Sequence, residues 1–517
     1  MLANPNGNPD LRIKMELRRI LAVASFLLYA IAAIVAFYRM PTSWAPEYAL
    51  SIPSAISNVV YGLQLGLTDS NVLAEFNDTL AAEGVTPASV EKAVAVTARG
   101  DLPRGTALTT TDGIGIGQVL FIDLAMRLFG PHLSSILYCF LFFMGISTLA
   151  FIGRYKGDRL IFVPMQFVAL TCMLLTPLFT EPTIRDQASI GGNRFFGILG
   201  IMPALHIFFE FADGGAPTRV GTWKNWILLG TQAFILVLVL LVRSANAYML
   251  APAICAAFFS VRRCRDNPAE RQRLYRIFAN TVILGIVFTS ILIACVPNYV
   301  KSGRIGGILW HRAFTSFVMH PEWPFGNLRD VYACTKYIPE GLQRDGNSDR
   351  NGHCVWWVYP PNQTRTDAEV QEGTYGPEYE TALRRAVFYV IFTYPRQALQ
   401  LYFYYKPLII LDTLRAALDW QLERVPPSIL ILAVFQLELF LWFVAASAVK
   451  VPFNAAKALG VLALFFLFSI APPLVAWASL WTGADLIFYM YAAFALGVAF
   501  LVQAAMTIVW RIKLHST

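Results

Sequence analysis

The stretch TDSNVLAEFNDTLAAEG (residues 68–84), continued by TPASVEKAVAVTARG (86–100) and TTTDGIGIGQVLFIDLAMRLFG (109–130), separates two long hydrophobic segments and carries three helical signals of its own. In the first, Val72, Leu73, Phe76 and Leu80 share one helical face while Glu75, Asp78 and Glu83 lie off it. The second opens with Thr86 as N-cap and Pro87 at the first helical position, and closes at Gly100. The third follows Asp112-Gly113 and keeps Asp123 and Arg127 among apolar residues, which predicts a helix at a membrane interface rather than a span. The whole stretch reads as short helices laid against a bilayer, holding carboxylates at its edge.

The rest of the chain supplies that bilayer. Of 517 residues, 56% are apolar and only 14% charged, against about a quarter charged in soluble domains. Runs of roughly 20 apolar residues recur, near 20–38, 132–152, 160–179, 195–211, 226–241, 248–260, 277–297, 429–446, 459–477 and 486–510. The expected fold is therefore all-α, a polytopic membrane protein of about ten transmembrane helices. The net charge of +8 is no sign of nucleic acid, because basic residues of such proteins collect in cytoplasmic loops. Arg12, Lys14, Arg18 and Arg19 precede the first span, which is too long for a cleaved leader and reads as retained. Arg154, Lys156 and Arg159 follow the second, and RRCRDNPAERQRLYR (262–276) carries six arginines. These clusters put both termini in the cytoplasm. The first outer loop, 39–131, is acidic through residue 112, with eight acidic residues against four basic.

The expected division is a cytoplasmic 1–16, a transmembrane module 17–297, an outer region 298–426 and C-terminal helices 427–517. Within the outer region, 321–376 is polar and rich in Gly, Pro and Asn, an expected small lobe. The aromatic stretch 386–411, broken by Pro395 and Pro407, predicts interfacial helices. Cys334 and Cys354 share the lobe and form an expected disulfide if the outside is oxidising.

On this topology four ionisable groups gather at the outer membrane face, where charge is costly and therefore functional by default. They are Asp69 with Asp78 or Asp112; Arg185, Asp186 and Arg194; Arg243; and Lys301, Arg304, His311 and Arg312. Arginine binds phosphate oxygens bidentately and neutralises a leaving group, while a carboxylate accepts the proton of an attacking hydroxyl. Each has a plainer role as well. Asp69 stands at a helix start and can cap it, Asp112-Gly113 is a natural turn, Arg243 can snorkel, and His311 with Arg312 can hold the lobe to headgroups. The Gly113, Gly115, Gly117 alternation lacks the strand and the spacing of a phosphate loop.

These residues resemble the multi-span glycosyltransferases of the GT-C type, the superfamily of dolichyl-phosphate-mannose protein mannosyltransferases and bacterial lipid A aminoarabinose transferases. The likeness lies in layout: a basic N-terminus and first span, Asp69 in the first outer loop, juxtamembrane helices, the RLFG segment ending at Gly130, and the basic turn Arg154-Tyr155-Lys156. It covers about the first 220 residues, and the remainder only by span count. The chain departs from the family in having Asp69-Ser70 where an acidic pair is usual, and TTTDGIGIG where a proline-rich stretch is usual. The resemblance implies an inverting transfer of a sugar from a polyprenyl-phosphate donor to a glycolipid, polysaccharide or protein acceptor, in a bacterial-type inner membrane. It implies Asp69 as base, with Asp112 as helper or ligand to a divalent metal. Arg185, Arg194, Arg243, Lys301, Arg304, His311 and Arg312 are the expected substrate-binding residues. A transporter or flippase of lipid-linked saccharides, and a polysaccharide polymerase or ligase, are the alternatives.

Overall fold

The computed structural model describes residues 9–39, 48–83, 87–110, 115–175, 195–212, 223–298, 309–320, 377–418, 426–448, 455–475 and 484–516. In chain order the first helices are α1 (Pro9–Arg39), α2 (Tyr48–Val59), α3 (Ser70–Glu83), α4 (Pro87–Thr97), α5 (Ile116–Phe129), α6 (Ser134–Arg154) and α7 (Phe162–Leu174). They are followed by α8 (Phe196–Leu199), α9 (Ile201–Ala212), α10 (Trp223–Val242), α11 (Leu250–Arg263) and α12 (Pro268–Ala294). Then come α13 (Leu309–Thr315), α14 (Pro377–Thr393), α15 (Pro395–Gln400) and α16 (Lys406–Leu418). The chain closes with α17 (Pro427–Ala448), α18 (Ala455–Ser469), α19 (Ala471–Val475) and α20 (Ala484–Ser516). Among the described residues nine helical segments are long and apolar enough to cross a membrane, and a shorter apolar one, Phe196–Ala212, occupies the place of the expected fourth span. Their outer faces are greasy: Ile283, Ile286 and Ile291 of α12 are each more than half exposed. A patch of that extent suits lipid rather than water. The chain is an all-α polytopic membrane protein.

Lipid gives no hydrophobic drive for helices to associate, so small residues and interhelical hydrogen bonds hold the bundle. Along α1 the buried face is Ala22, Ser25, Tyr29, Ala32, Ala33 and Ala36, a stripe at helical spacing that admits α7 and α17 closely. Tyr29 and Phe26 both pack on Phe167 of α7, with centroids 5.4 and 5.5 Å away. Gln436 of α17 donates to the Ser25 carbonyl at 2.9 Å and accepts from the Thr171 hydroxyl, joining three helices through one amide. A second amide, Gln232 of α10, accepts from Ser147 Oγ at 2.7 Å and donates to the Ser147 carbonyl at 2.8 Å.

The layer between α1 and α6 contains the expected α3 and α4, with Val72 and Phe76 buried on the expected face of α3. It also contains two features that periodicity did not signal. One is α2; the other is a two-stranded antiparallel ladder, β1 (Leu67–Asp69) against β2 (Leu108–Thr110), with Thr68 opposite Thr109. Among the described residues α5 is not one of the long apolar helices, and nearly every residue from Ile116 to Met126 is buried, against α2, α6 and α10. Its carboxylate tolerates this because Asp123 accepts from Asn58 Nδ2 at 2.7 Å and from Arg127 Nε at 2.9 Å.

The two ends of the bundle differ in charge. At one, Arg154 at the end of α6 donates to Glu210 of α9 at 2.5 and 3.2 Å. The Tyr155 hydroxyl lies 3.1 Å from the same carboxylate and 2.7 Å from the His206 carbonyl. Arg273 of α12 lies within Coulombic reach of Glu210, and Arg18 and Lys457 within reach of Asp158. The sequence's basic clusters at the ends of α1, α6, α12 and α18 thus meet at one end. Removing one partner of a buried pair strands the other charge, which costs about 3–5 kcal/mol, whereas replacing both with apolar groups is far milder. Glu210→Leu is expected to lower stability by about 3 kcal/mol in reversible unfolding in mixed detergent micelles. Adding Arg154→Met to it should recover most of the loss; no recovery would show that the pair is not the source.

Candidate functional site

At the other end of the bundle, α10 stops at Val242 and Arg243 turns the chain into a 3-10 segment, Ser244–Met249. Asn246 fixes this turn: its Nδ2 donates to the Val239 carbonyl at 3.1 Å, satisfying one of the last-turn carbonyls of α10. The half-buried Arg243 lies within Coulombic reach of Asp485, in the first turn of α20. Asp485 is 8% exposed. Close to it, the Tyr248 hydroxyl donates to the hydroxyl of Tyr489, one turn further along α20, at 3.3 Å. The Asp485 Oδ1 is buried without a hydrogen-bond partner among the described residues. Gly197 of α8 closes the site from a third side; a Cβ there would stand 2.6 Å from Asp485 Oδ1 and 3.0 Å from Asn246 Oδ1, so the approach admits only glycine.

The layer of α2–α4 and the β1–β2 ladder is pressed onto this cluster by α5. A Cβ on Gly115 or Gly117 would collide with the backbone of α10 between Leu238 and Val242, the turn that ends in Arg243. The glycine alternation of this segment is thus a close-packing device, and the position it fixes is the end of α10.

The expected site residues fall in different places. Of the expected cationic set, Arg243 is in the cluster. Asp69 is 2% exposed and caps α3, its Oδ1 accepting from the amides of Asn71 at 2.9 Å and Val72 at 3.4 Å. Its Oδ2 accepts from Gly105 N at 2.7 Å, and its own amide donates to Ser57 Oγ at 3.2 Å. Asp69 therefore ties α2, through its amide, to α3 and the 101–107 loop, through its carboxylate. His311 is fully buried, with Nδ1 2.6 Å from the Tyr379 hydroxyl, in a second apolar core formed by α13, α14 and α15. Glu380 accepts from the amides of Trp310 and His311 at 2.8 and 3.1 Å and so caps α13. Arg312 is half-buried beside it. Asp112, Arg185, Arg194, Lys301, Arg304, Cys334 and Cys354 lie outside the described residues, as does the lobe 321–376. Among the described residues no three His, Cys, Asp or Glu side chains converge as a metal site would require.

Asp485 was missed in the sequence because it reads as the last polar residue before an apolar run. Its one signal is an ionisable residue opening a span, where charge is costly. Lys406 lies in the stretch 386–411 expected to form interfacial helices. It is fully buried at the head of α16 and donates to Ser316 Oγ at 2.9 Å and to the Leu474 carbonyl at 2.7 Å. Its amine also sits 4.1 Å from the Tyr402 ring centroid. Ser316 passes its own proton to the Ala313 carbonyl at 2.7 Å. Lys406 thus fastens the second core to the end of α19, and Ile410 one turn on packs with Leu486, next to Asp485.

Burial pushes the Lys406 amine down to about 7, from about 10.4 in an exposed lysine. Between those values the unfolded chain binds a proton that the folded one does not, so stability rises with pH across that window and is flat below it. The unfolding midpoint of the native chain, taken relative to Lys406→Met, is expected to climb from about pH 7 to about pH 10. A difference that stays constant with pH would show that the amine does not titrate there.

No family model matches this chain, and no curated protein or solved structure matches it.

Proposed function

We propose that the chain is an inverting membrane glycosyltransferase that takes a sugar from a polyprenyl-phosphate donor at the end of the bundle carrying Arg243 and Asp485. The observation that carries the proposal is this pair: a guanidinium and a carboxylate from opposite halves of the chain, meeting beneath an amphipathic helical layer, with one carboxylate oxygen uncommitted. Because the basic clusters collect at the opposite end, the positive-inside rule places this site on the extracytoplasmic side, and the termini in the cytoplasm.

The chemistry follows from the two groups. An acceptor hydroxyl attacks the anomeric carbon as the bond from that carbon to the lipid phosphate breaks. The hydroxyl proton passes to Asp485, and the phosphate leaves as an anion that Arg243 neutralises. Negative charge beside the ring also favours the oxocarbenium character of the transition state. Tyr248 and Tyr489, hydrogen-bonded to each other, form the wall beside the carboxylate. Asp69, with both oxygens spent on backbone amides, holds the layer over the site, and the base role expected of it passes to Asp485. Arg312 and the cations at 185, 194, 301 and 304 are proposed as further donor contacts.

A transporter of lipid-linked saccharides is the second reading. It is favoured by His206, fully buried with Nδ1 3.4 Å from Gln232 Nε2 and one turn from Glu210 on α9.

The two separate in nanodiscs loaded with a panel of polyprenyl-phosphate sugars. Transfer is expected to release polyprenyl phosphate, with Asp485→Asn lowering kcat by about 100-fold or more while donor binding persists. Arg243→Ala should weaken donor binding as well, with partial rescue by Arg243→Lys. Asp69→Asn should lower the melting temperature and leave kcat of the folded fraction near its original value. Movement of the lipid across the bilayer without phosphate release would support transport instead, and donor binding indifferent to Arg243→Ala would overturn the proposal.

A further inference from the structure

The basic end of the bundle contains a cavity of its own, of about 300 Å³, lined by Lys156, Asp158, Arg159, Phe162, Phe209 and Lys457. It lies between the turn that joins α6 to α7, the last turns of α9 and the first turn of α18. Gly157 makes the turn possible with φ at +70°, a left-handed conformation that any side chain would strain.

Two kinds of wall meet there. Lys156, Arg159 and Lys457 supply three cations against the single carboxylate of Asp158, and Arg18 on α1 lies within Coulombic reach of that carboxylate. Arg159 is held in place by stacking: its Cζ is 5.3 Å from the Tyr155 ring centroid and 5.6 Å from that of Phe209. A planar guanidinium fixed this way presents its donors at little entropic cost and matches two phosphate oxygens at once. Lys457 stands in the first turn of the 15-residue α18, whose positive dipole end adds to the field. The second wall is apolar: Phe162 and Phe209 pack with centroids 5.4 Å apart, and Val461 sits one turn along α18 from Lys457.

A free anion would use the cations and waste the aromatic wall. A lipid tail alone would waste the cations. We infer that this cavity binds the headgroup of an anionic phospholipid, its phosphate on Arg159, Lys156 and Lys457 and its first acyl carbons against Phe162, Phe209 and Val461. Asp158, whose Oδ1 has no hydrogen-bond partner among the described residues, then accepts from a headgroup hydroxyl such as that of a glycerol. The site is remote in character from the Arg243–Asp485 cluster and does not rest on the transferase proposal. It belongs with the basic pockets between helix ends that collect acidic lipids on the cytoplasmic side of membranes.

The test uses the full chain purified in a neutral detergent, with its melting temperature followed against short-chain phosphatidylglycerol, short-chain phosphatidylcholine and inorganic phosphate. Ligand that binds only the folded state raises the midpoint with concentration. Phosphatidylglycerol is expected to act at concentrations at least about tenfold lower than either of the others. In the double variant Lys156→Gln/Lys457→Gln, both side chains being exposed, the midpoint without lipid should be unchanged and the phosphatidylglycerol response weakened by about tenfold or more. Retention of the lipid by the native chain, and its loss from the variant, should also be visible by native mass spectrometry. An equal response to phosphatidylcholine, an equal response to inorganic phosphate, or a variant that responds like the native chain would each overturn the assignment.

Discussion

Charge inside an apolar bundle has to be answered by opposite charge or by hydrogen bonds, and this constraint organises the molecule. It is met twice, once at each end. Arg154 of α6 is neutralised by Glu210 of α9, with Tyr155 closing the third side. Asp485 of α20 faces Arg243 at the end of α10, beside the Tyr248–Tyr489 hydroxyl pair. The interior between them is held by uncharged amides, Gln232 and Gln436, each of which satisfies both its donor and its acceptor on neighbouring helices. The two ends differ in their remaining capacity. Glu210 has both oxygens engaged, whereas Asp485 keeps one oxygen without a hydrogen-bond partner among the described residues.

Close backbone approach is the second device. Gly115 and Gly117 let α5 meet the end of α10, and Gly197 lets α8 meet Asp485 and Asn246. A side chain at any of these positions would move the turn that aims Arg243. The outer layer is thereby made rigid with the bundle rather than floating on lipid, and Asp69 contributes to the same end by fastening α2, α3 and the 101–107 loop. On the other flank Lys406 joins the second apolar core to α19 through a carbonyl at a helix end. Positions around Asp485 are thus set from three directions by groups that are themselves buried.

The cationic cavity at the basic end obeys the same physics with the opposite sign. Three cations and one carboxylate stand around an apolar floor. In a bilayer the most abundant answer is a lipid phosphate. Stability at that end and the lipid composition of the membrane are then coupled, as binding to the folded state requires.

What could be read in residue order is what local physics decides. Apolar run length placed the spans, because a helix must carry about 20 apolar residues to cross the hydrocarbon. Among the described residues, nine segments and the short 196–212 helix fall where those runs stand. Helical periodicity placed α3 and α4, and Asp69 could be narrowed to base or cap because a helix start leaves amides unsatisfied. The meeting of Arg243 with Asp485, the burial of α5, the ladder between β1 and β2, and the lysine under α19 could not be read so. Each joins residues that are distant in sequence, and each depends on which helix faces which. An acid at the head of an apolar run looks the same whether it points to water, to headgroups or to an arginine. Only packing removes the first two choices, because it alone determines where water is excluded.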